Sequence, residues 1–290
     1  MSKSYGIDVS DNQGIIDWAA VKNAGCDFAV LRSVRRSGKA DYQFANNLAG
    51  CRANGIPVAV YKYTYAATEA AQREEARQVA QLLKQNALDC IIWWDVEDRA
   101  ALARLGKERL TSCIKAARQE IESAGLRFGV YTGKYVLDEK WFDHTAFLDC
   151  PWWIARYPLP GTNFVLKDVP EAKKPAVPVP ITAWQWTSKG EIAGIQGNVD
   201  MNIMYDKPSE NMEPEVVMEY FPAPKVYKNG STPEIVYSST AASQSIGSLD
   251  PREECHCIGT CGGMACVVYT VNSTGAKKAG WVKWLGGICK

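Results

Sequence analysis

The stretch Ile91-Ile-Trp-Trp-Asp-Val-Glu-Asp98 runs apolar and aromatic, then presents carboxylates at Asp95 and Glu97. In a strand, side chains two apart share a face. Asp95 and Glu97 are therefore expected to project together as a buried strand reaches its carboxyl end. Burying a carboxylate is costly unless it is paired or protonated. Two crowded carboxylates titrate as a pair, and one of them can hold a proton near neutral pH. A glycosidic general acid needs that arrangement.

Outward from this strand, a strand–helix rhythm fills the first two hundred residues. Strands are predicted at Tyr5–Asp8, Phe28–Arg32, Pro57–Tyr63, Cys90–Glu97 and Phe128–Thr132. Helices are predicted between them at 17–24, 42–53, 68–85 and 106–124, with Thr68 as an N-cap and Gly25, Gly55 and Gly125 as stops. Trp152–Ala155, Ile181–Trp186 and Asn198–Asn202 read as three more strands without full helices between them. Alternating β and α elements give a parallel sheet, and eight strands can close into a barrel. The expected fold is α/β: an irregular (β/α)5(β)3 TIM-like barrel over 1–206, a linker over 207–224, and a small all-β domain over 225–290. In that last part, short β-like runs at Glu234–Tyr237, Cys266–Val271 and Gly280–Trp284 alternate with turns.

The chain has 290 residues, 47% hydrophobic and 22% charged, enough for a sizeable core. A net charge of +1 argues against binding nucleic acid by phosphate neutralisation. No apolar run is long enough to span a bilayer, so no membrane insertion is expected. The start, Met1-Ser-Lys-Ser-Tyr-Gly-Ile-Asp8, enters a strand pattern at once, and a protein made in the cytoplasm without a signal peptide is expected.

Asp8 ends the first predicted strand, Asp95 and Glu97 the fourth, and Asp200 lies in the eighth. In a barrel the first and eighth strands are neighbours, and active sites sit at the carboxyl ends. The four acids are expected to converge as a catalytic group. Tyr61, Tyr63, Tyr65, Trp94, Tyr131, Trp153, Trp184 and Trp186 surround the same positions, and flat aromatic faces suit stacking on sugar rings. Tyr61, Tyr63 and Trp186 are read as cleft residues. Trp93 and Trp152 are read as core, turned away from the mouth.

The combination Gly6-Ile-Asp8-Val-Ser10, Asp95-Val-Glu97, Gly129-Val-Tyr131-Thr and Trp184-Gln-Trp186…Val199-Asp200 resembles the glycoside hydrolase family 25 muramidases, the Chalaropsis-type lysozymes, over about residues 5–205. The resemblance implies hydrolysis of the β-1,4 bond between N-acetylmuramic acid and N-acetylglucosamine in Gram-positive peptidoglycan, without a cofactor or metal. It makes Glu97 the general acid and Asp95 its support, either for developing charge or for orienting the substrate's N-acetyl group. Asp8 and Asp200 correspond to the other acids of the cleft. Tyr61, Tyr63, Tyr131, Trp186 and Arg32 are the candidate substrate-binding residues. Two departures stand out. The segment Arg32-Ser-Val-Arg-Arg-Ser-Gly38 carries two extra basic residues, and Lys62 stands where many relatives carry histidine. Residues 225–290 resemble SH3-type cell-wall-binding modules through Gly280-Trp-Val-Lys-Trp284. The whole resembles a phage endolysin acting on the wall after release and lysing its host.

Cys26, Cys51, Cys90, Cys113 and Cys150 read as small core residues. Cys255, Cys257, Cys261, Cys266 and Cys289, with His256, admit a zinc site, a disulfide or free thiols. The spacing matches no standard finger, which favours thiols. His144 reads as structural. Met212 and Met218 precede the tail, and an internal start there would yield a free module, so self-association through the C-terminal part is a further expectation. The alternative to an enzyme is a non-catalytic peptidoglycan-binding protein with a degenerate barrel, and the intact set of four acids speaks against it. A peptidase centre would have only His144 to use in the first domain.

Overall fold

The computed structural model describes residues 3–205, 219–237, 245–261, 264–271, 274–275, 277–283 and 288–289. They form two compact units. The first is built on a closed eight-stranded barrel. In chain order it comprises β1 (Ser4–Val9), α1 (Trp18–Asn23), β2 (Phe28–Arg32), α2 (Phe44–Ala53), β3 (Val58–Tyr63), α3 (Glu69–Gln85) and β4 (Ile91–Asp95). Then follow α4 (Arg99–Leu102), α5 (Lys107–Ser123), β5 (Arg127–Gly133), α6 (Lys134–Asp138), β6 (Trp152–Ala155), β7 (Ile181–Gly190) and β8 (Val199–Met204). Asp17 caps α1 by accepting from the Ala19 and Ala20 N–H groups, and Thr68 accepts from Ala71 N–H at the start of α3. Gly25, Gly55 and Gly125 all take positive φ where the preceding helices stop.

Strands β1 to β7 pair in parallel, but β8 runs antiparallel to both β7 and β1. The alternating rhythm predicts a parallel sheet, and β8 departs from it. The link over residues 191–198 is too short for the crossover a parallel neighbour requires, so the chain turns straight back. The reversal matters for function. The barrel mouth receives the first residues of β8, and Asp200 becomes the register partner of Asp8 on β1.

Alternate residues of each strand fill the barrel. Phe28, Val30, Ala59, Ile91, Trp93, Tyr131, Trp153, Ala183 and Met204 pack as one buried cluster. Glycine is needed at two points of close approach. A Cβ on Gly6 would lie 2.4 Å from the Phe28 carbonyl oxygen, and one on Gly129 would lie 2.7 Å from the Trp93 ring. The glycines of the Gly6-Ile-Asp8 and Gly129-Val-Tyr131 motifs therefore shape the barrel wall beneath the acids. Cys26, Cys51, Cys90, Cys113 and Cys150 are all buried, as expected of small core residues.

The second unit contains β9 (Glu219–Lys228), β10 (Glu234–Tyr237), β11 (Ser245–Leu249), β12 (Glu254–Cys261), β13 (Met264–Thr270), β14 (Lys277–Lys283) and β15 (Ile288–Cys289). They form one sheet of order β11-β10-β14-β13-β12-β9-β15, with antiparallel pairing. Tyr227, Val236, Leu249, Cys255, Cys257, Ala265, Val267, Tyr269 and Val282 form its core. Strand β9 begins inside the stretch expected to be linker. Its prolines, Pro222 and Pro224, fall in a bulge between the Tyr220–Gly259 and Lys225–Cys257 pairs, where β9 has no partner on β12. Cys266 is buried too, while the side chains of Cys261 and Cys289 lie outside the described residues, as do Met212 and Met218. No helix among the described residues is long and apolar enough to cross a membrane.

Candidate active site

Asp95 is the last residue of β4, so the strand ends two residues earlier than the sequence suggests. Val96 then ties the chain to β5: its N–H donates to the Tyr131 carbonyl at 2.9 Å, and Thr132 Oγ1 donates to its carbonyl at 2.7 Å. Glu97 therefore leaves the pleat but stays over the mouth, where Tyr135 Oη donates to its carbonyl at 3.0 Å. Asp98 caps α4 by accepting from Ala101 N–H at 2.7 Å.

Four carboxyl groups meet here, and burial is the leading influence on each. Glu97 is half-buried, and burial followed by the charges of Asp8 and Asp98 pushes its carboxyl up to about 7. Asp95 is buried, and burial followed by Glu97 and Asp8 drives it well above the ordinary carboxylate range, with Lys62 opposing. Burial raises Asp8 to about 6, against the donors Asn202 and Gln185. Burial, then the charges of Asp8 and Glu97, raise Asp200 to about 9. Such groups titrate together, and the protons belong to the cluster. Asp95 Oδ1 is buried without a hydrogen-bond partner among the described residues.

An amide network that the sequence reading missed holds the deep side of the site. Asp8 Oδ1 accepts from Gln185 Nε2 at 2.9 Å and from Asn202 Nδ2 at 2.8 Å. Gln185 Nε2 also donates to Asp200 Oδ2 at 3.3 Å. Its Oε1 accepts from Tyr131 Oη at 2.8 Å and from Tyr157 Oη at 2.6 Å. Trp153 Nε1, which can only donate, donates to Asn202 Oδ1 at 2.9 Å and so orients that amide towards Asp8. Strand alternation would have found both amides: Asn202 is two residues from Asp200, and Gln185 is two from inward-facing Ala183.

The aromatic residues divide between the two faces of the barrel wall. Tyr61 is half-buried at the mouth, close enough to feel the charges of Asp8, Arg32, Asp95 and Asp200. Tyr63 donates to Asp98 Oδ2 at 3.2 Å and packs on Tyr65 with ring centroids 4.7 Å apart. Tyr131 is 6% exposed and meets Trp153 edge-on at 4.4 Å, so it positions Gln185. Trp93 is core, but it lies on the same face as Asp95, one pleat deeper, rather than turned away. Trp94 faces outward and donates to Gln72 of α3 at 2.7 Å. Trp184 donates outward to the Arg156 carbonyl at 2.9 Å. Trp186 was expected in the cleft. It is 1% exposed and packs on Phe164, because alternation gives the inward position to its neighbour Gln185. Arg32 points to the mouth, but Asp11 and Asp41 already pair with it. Lys62 is fully buried on the outer face, 3.3 Å from Glu75 Oε1, and donates to the Tyr63 carbonyl at 2.9 Å.

The sequence matches the family model described as "Glycosyl hydrolases family 25" over residues 7–195. The chain belongs to this family. The family 25 region is 25% identical over 199 residues to an autolytic lysozyme of Clostridium acetobutylicum, covering 68% of this chain and 54% of that protein. It is 28% identical over 209 residues to the uncharacterized protein YegX of Escherichia coli O157:H7, covering 69% and 68% of the two chains. Among solved structures, the modular autolysin LytC from Streptococcus pneumoniae superposes with a TM-score of 0.59 at 28% identity, over 70% of this chain and 47% of LytC. The spore cortex lytic enzyme SleM of Clostridium perfringens shares the fold over 97% of this chain and 98% of its own, with a TM-score of 0.62 at 18% identity. The chain thus spans about half the length of the autolytic lysozyme and of LytC.

Proposed function

We propose that this family 25 chain is a muramidase that hydrolyses the β-1,4 bond between N-acetylmuramic acid and N-acetylglucosamine in Gram-positive peptidoglycan. The observation that carries the reading is Glu97, a carboxyl raised to about 7 beside buried Asp95 at the barrel mouth. Support comes from relatives described as lysozymes and autolysins, LytC having been solved with a synthetic peptidoglycan ligand.

Glu97 gives its proton to the glycosidic oxygen as the bond to the anomeric carbon breaks, and water finally supplies the hydroxyl at that carbon. Asp95 turns its unpartnered Oδ1 to the N-acetyl group of the substrate. Asp8, held by Gln185 and Asn202, keeps negative charge beneath the mouth, and Asp200 completes the acid group. Tyr61 and Tyr63 offer ring faces to the glycan. The second unit is read as an SH3-type wall-binding module, and the whole as an endolysin made in the cytoplasm and released to the wall, where it lyses the host. Mass analysis of a cell-wall digest tests the reaction: new reducing ends on muramic acid support it, and ends on N-acetylglucosamine or cleaved peptides refute it.

A further inference from the structure

The loops after β2 and β3 place a cation on an aromatic shelf beside the acids. Arg35 N–H donates to the Lys39 carbonyl, Gly38 N–H donates to the Arg35 carbonyl, and Val34 bridges Ala40, so the β2 loop is a closed turn. It sets the Arg36 guanidinium over the Tyr65 ring, 4.8 Å from its centroid. Tyr65 packs in turn on Tyr63, whose hydroxyl reaches Asp98, the residue after Glu97. One hydrogen bond, one ring–ring contact and one cation–ring contact therefore connect Asp98, the chain neighbour of the proposed proton donor, to Arg36.

Of the arginines on this side of the mouth, Arg36 is the one with neither a carboxylate nor a carbonyl partner among the described residues. Arg32 is paired with Asp11 and Asp41, and Lys62 with Glu75. Arg35 lies over the Tyr42 ring at 3.6 Å and donates through Nε to the Ala40 carbonyl at 3.0 Å. Arg36 is exposed and has no carboxylate partner among the described residues. A guanidinium already stacked on an aromatic ring has lost much of its freedom. It still presents the planar donor fork that suits a carboxylate.

We infer that Arg36, carried on Tyr65, binds a carboxylate of the stem peptide borne by the muramic sugar, and so makes the enzyme prefer glycan with anionic peptides. The inference rests on the muramidase reading. A glycan lying across Glu97 carries its peptides off the strand axis, which is where an acidic group can meet a shelf beside the acid rather than within the cluster. The tyrosines carry the sugar face and the arginine reads the charge.

The test compares the full chain on uncross-linked glycan strands with free stem-peptide carboxylates and on the same strands after carbodiimide amidation of those carboxylates. Wild type is expected to lose kcat/KM by about three- to tenfold on amidation, the range of one charge-assisted hydrogen bond. This loss should shrink as salt rises. In Arg36→Gln the ratio between the two substrates should fall to near one. A ratio that survives in Arg36→Gln, or a wild type indifferent to amidation, overturns the inference while leaving the muramidase reading intact. Recognition of wall phosphate instead of peptide would give that second result, since amidation leaves phosphates unchanged. Absence of reducing ends from both substrates would overturn the muramidase reading itself.

Discussion

Replacing Glu97 with glutamine should stabilise the barrel at alkaline pH and leave its stability unchanged at pH 4. In the folded chain the carboxyl ionises at about 7, against an ordinary value near 4.5, chiefly because it is buried. The folded state therefore holds its proton more tightly than the unfolded chain between these two values. Stability falls as pH rises through that window, and the full penalty is present above it. Two and a half pH units correspond to a ceiling of about 3 kcal/mol. Glu97 is only half-buried, and screening of its repulsion with Asp8 and Asp98 reduces this to about 1–2 kcal/mol. Glutamine resembles the protonated acid in shape and removes the penalty. For a unit of this size, that is a gain in melting temperature of about 3–6 °C at pH 8. Eight of the ten tryptophans lie in the first unit, so their fluorescence reports its unfolding. Equal stabilisation at pH 4 and pH 8, or none at pH 8, would refute burial as the cause of the raised carboxyl.

Other perturbations test other parts of the site. The pH profile of kcat/KM should be a narrow bell peaking between about 6 and 7, where the cluster holds the proton of Glu97 and the charge of Asp8. A rate still rising above pH 8 would contradict the proposed acid. Asn202→Leu removes a donor from Asp8 and leaves Trp153 Nε1 unpaired, so urea unfolding should show a loss of about 1–3 kcal/mol and the acidic limb should move to higher pH. Lys62→Met strands the largely buried Glu75 and should cost about 3–5 kcal/mol, and adding Glu75→Gln should recover most of it.

The parallel strands and their helices are legible in the sequence because each carries a local signal: an apolar run, a cap such as Thr68, or a stop such as Gly125. Strand β8 is less legible, since its direction depends on the length of the link before it and on closure of the barrel, both global properties. The acids Asp8, Asp95, Glu97 and Asp200 are found from their places at strand ends, although Asp200 reaches the mouth by the reversal of β8. Gln185 and Asn202 carry only the alternation signal, since an uncharged amide is not marked by its chemistry as part of an acid site. Trp94 and Trp186 mislead because aromatic residues suit both a sugar cleft and the packing between barrel and outer layer, and only the pleat decides which face each one takes. The second unit carries short strands whose pairing is set by distant partners, and β9 is further disguised by Pro222 and Pro224.

The most direct test of the central claim is the release of reducing sugar ends from purified Gram-positive peptidoglycan by wild type and by Glu97→Gln, both shown to be folded. The account predicts steady release by the wild type, with ends on N-acetylmuramic acid, and a loss of at least about a hundredfold in the variant, as removal of a general acid requires. Release at the original rate by Glu97→Gln would contradict it.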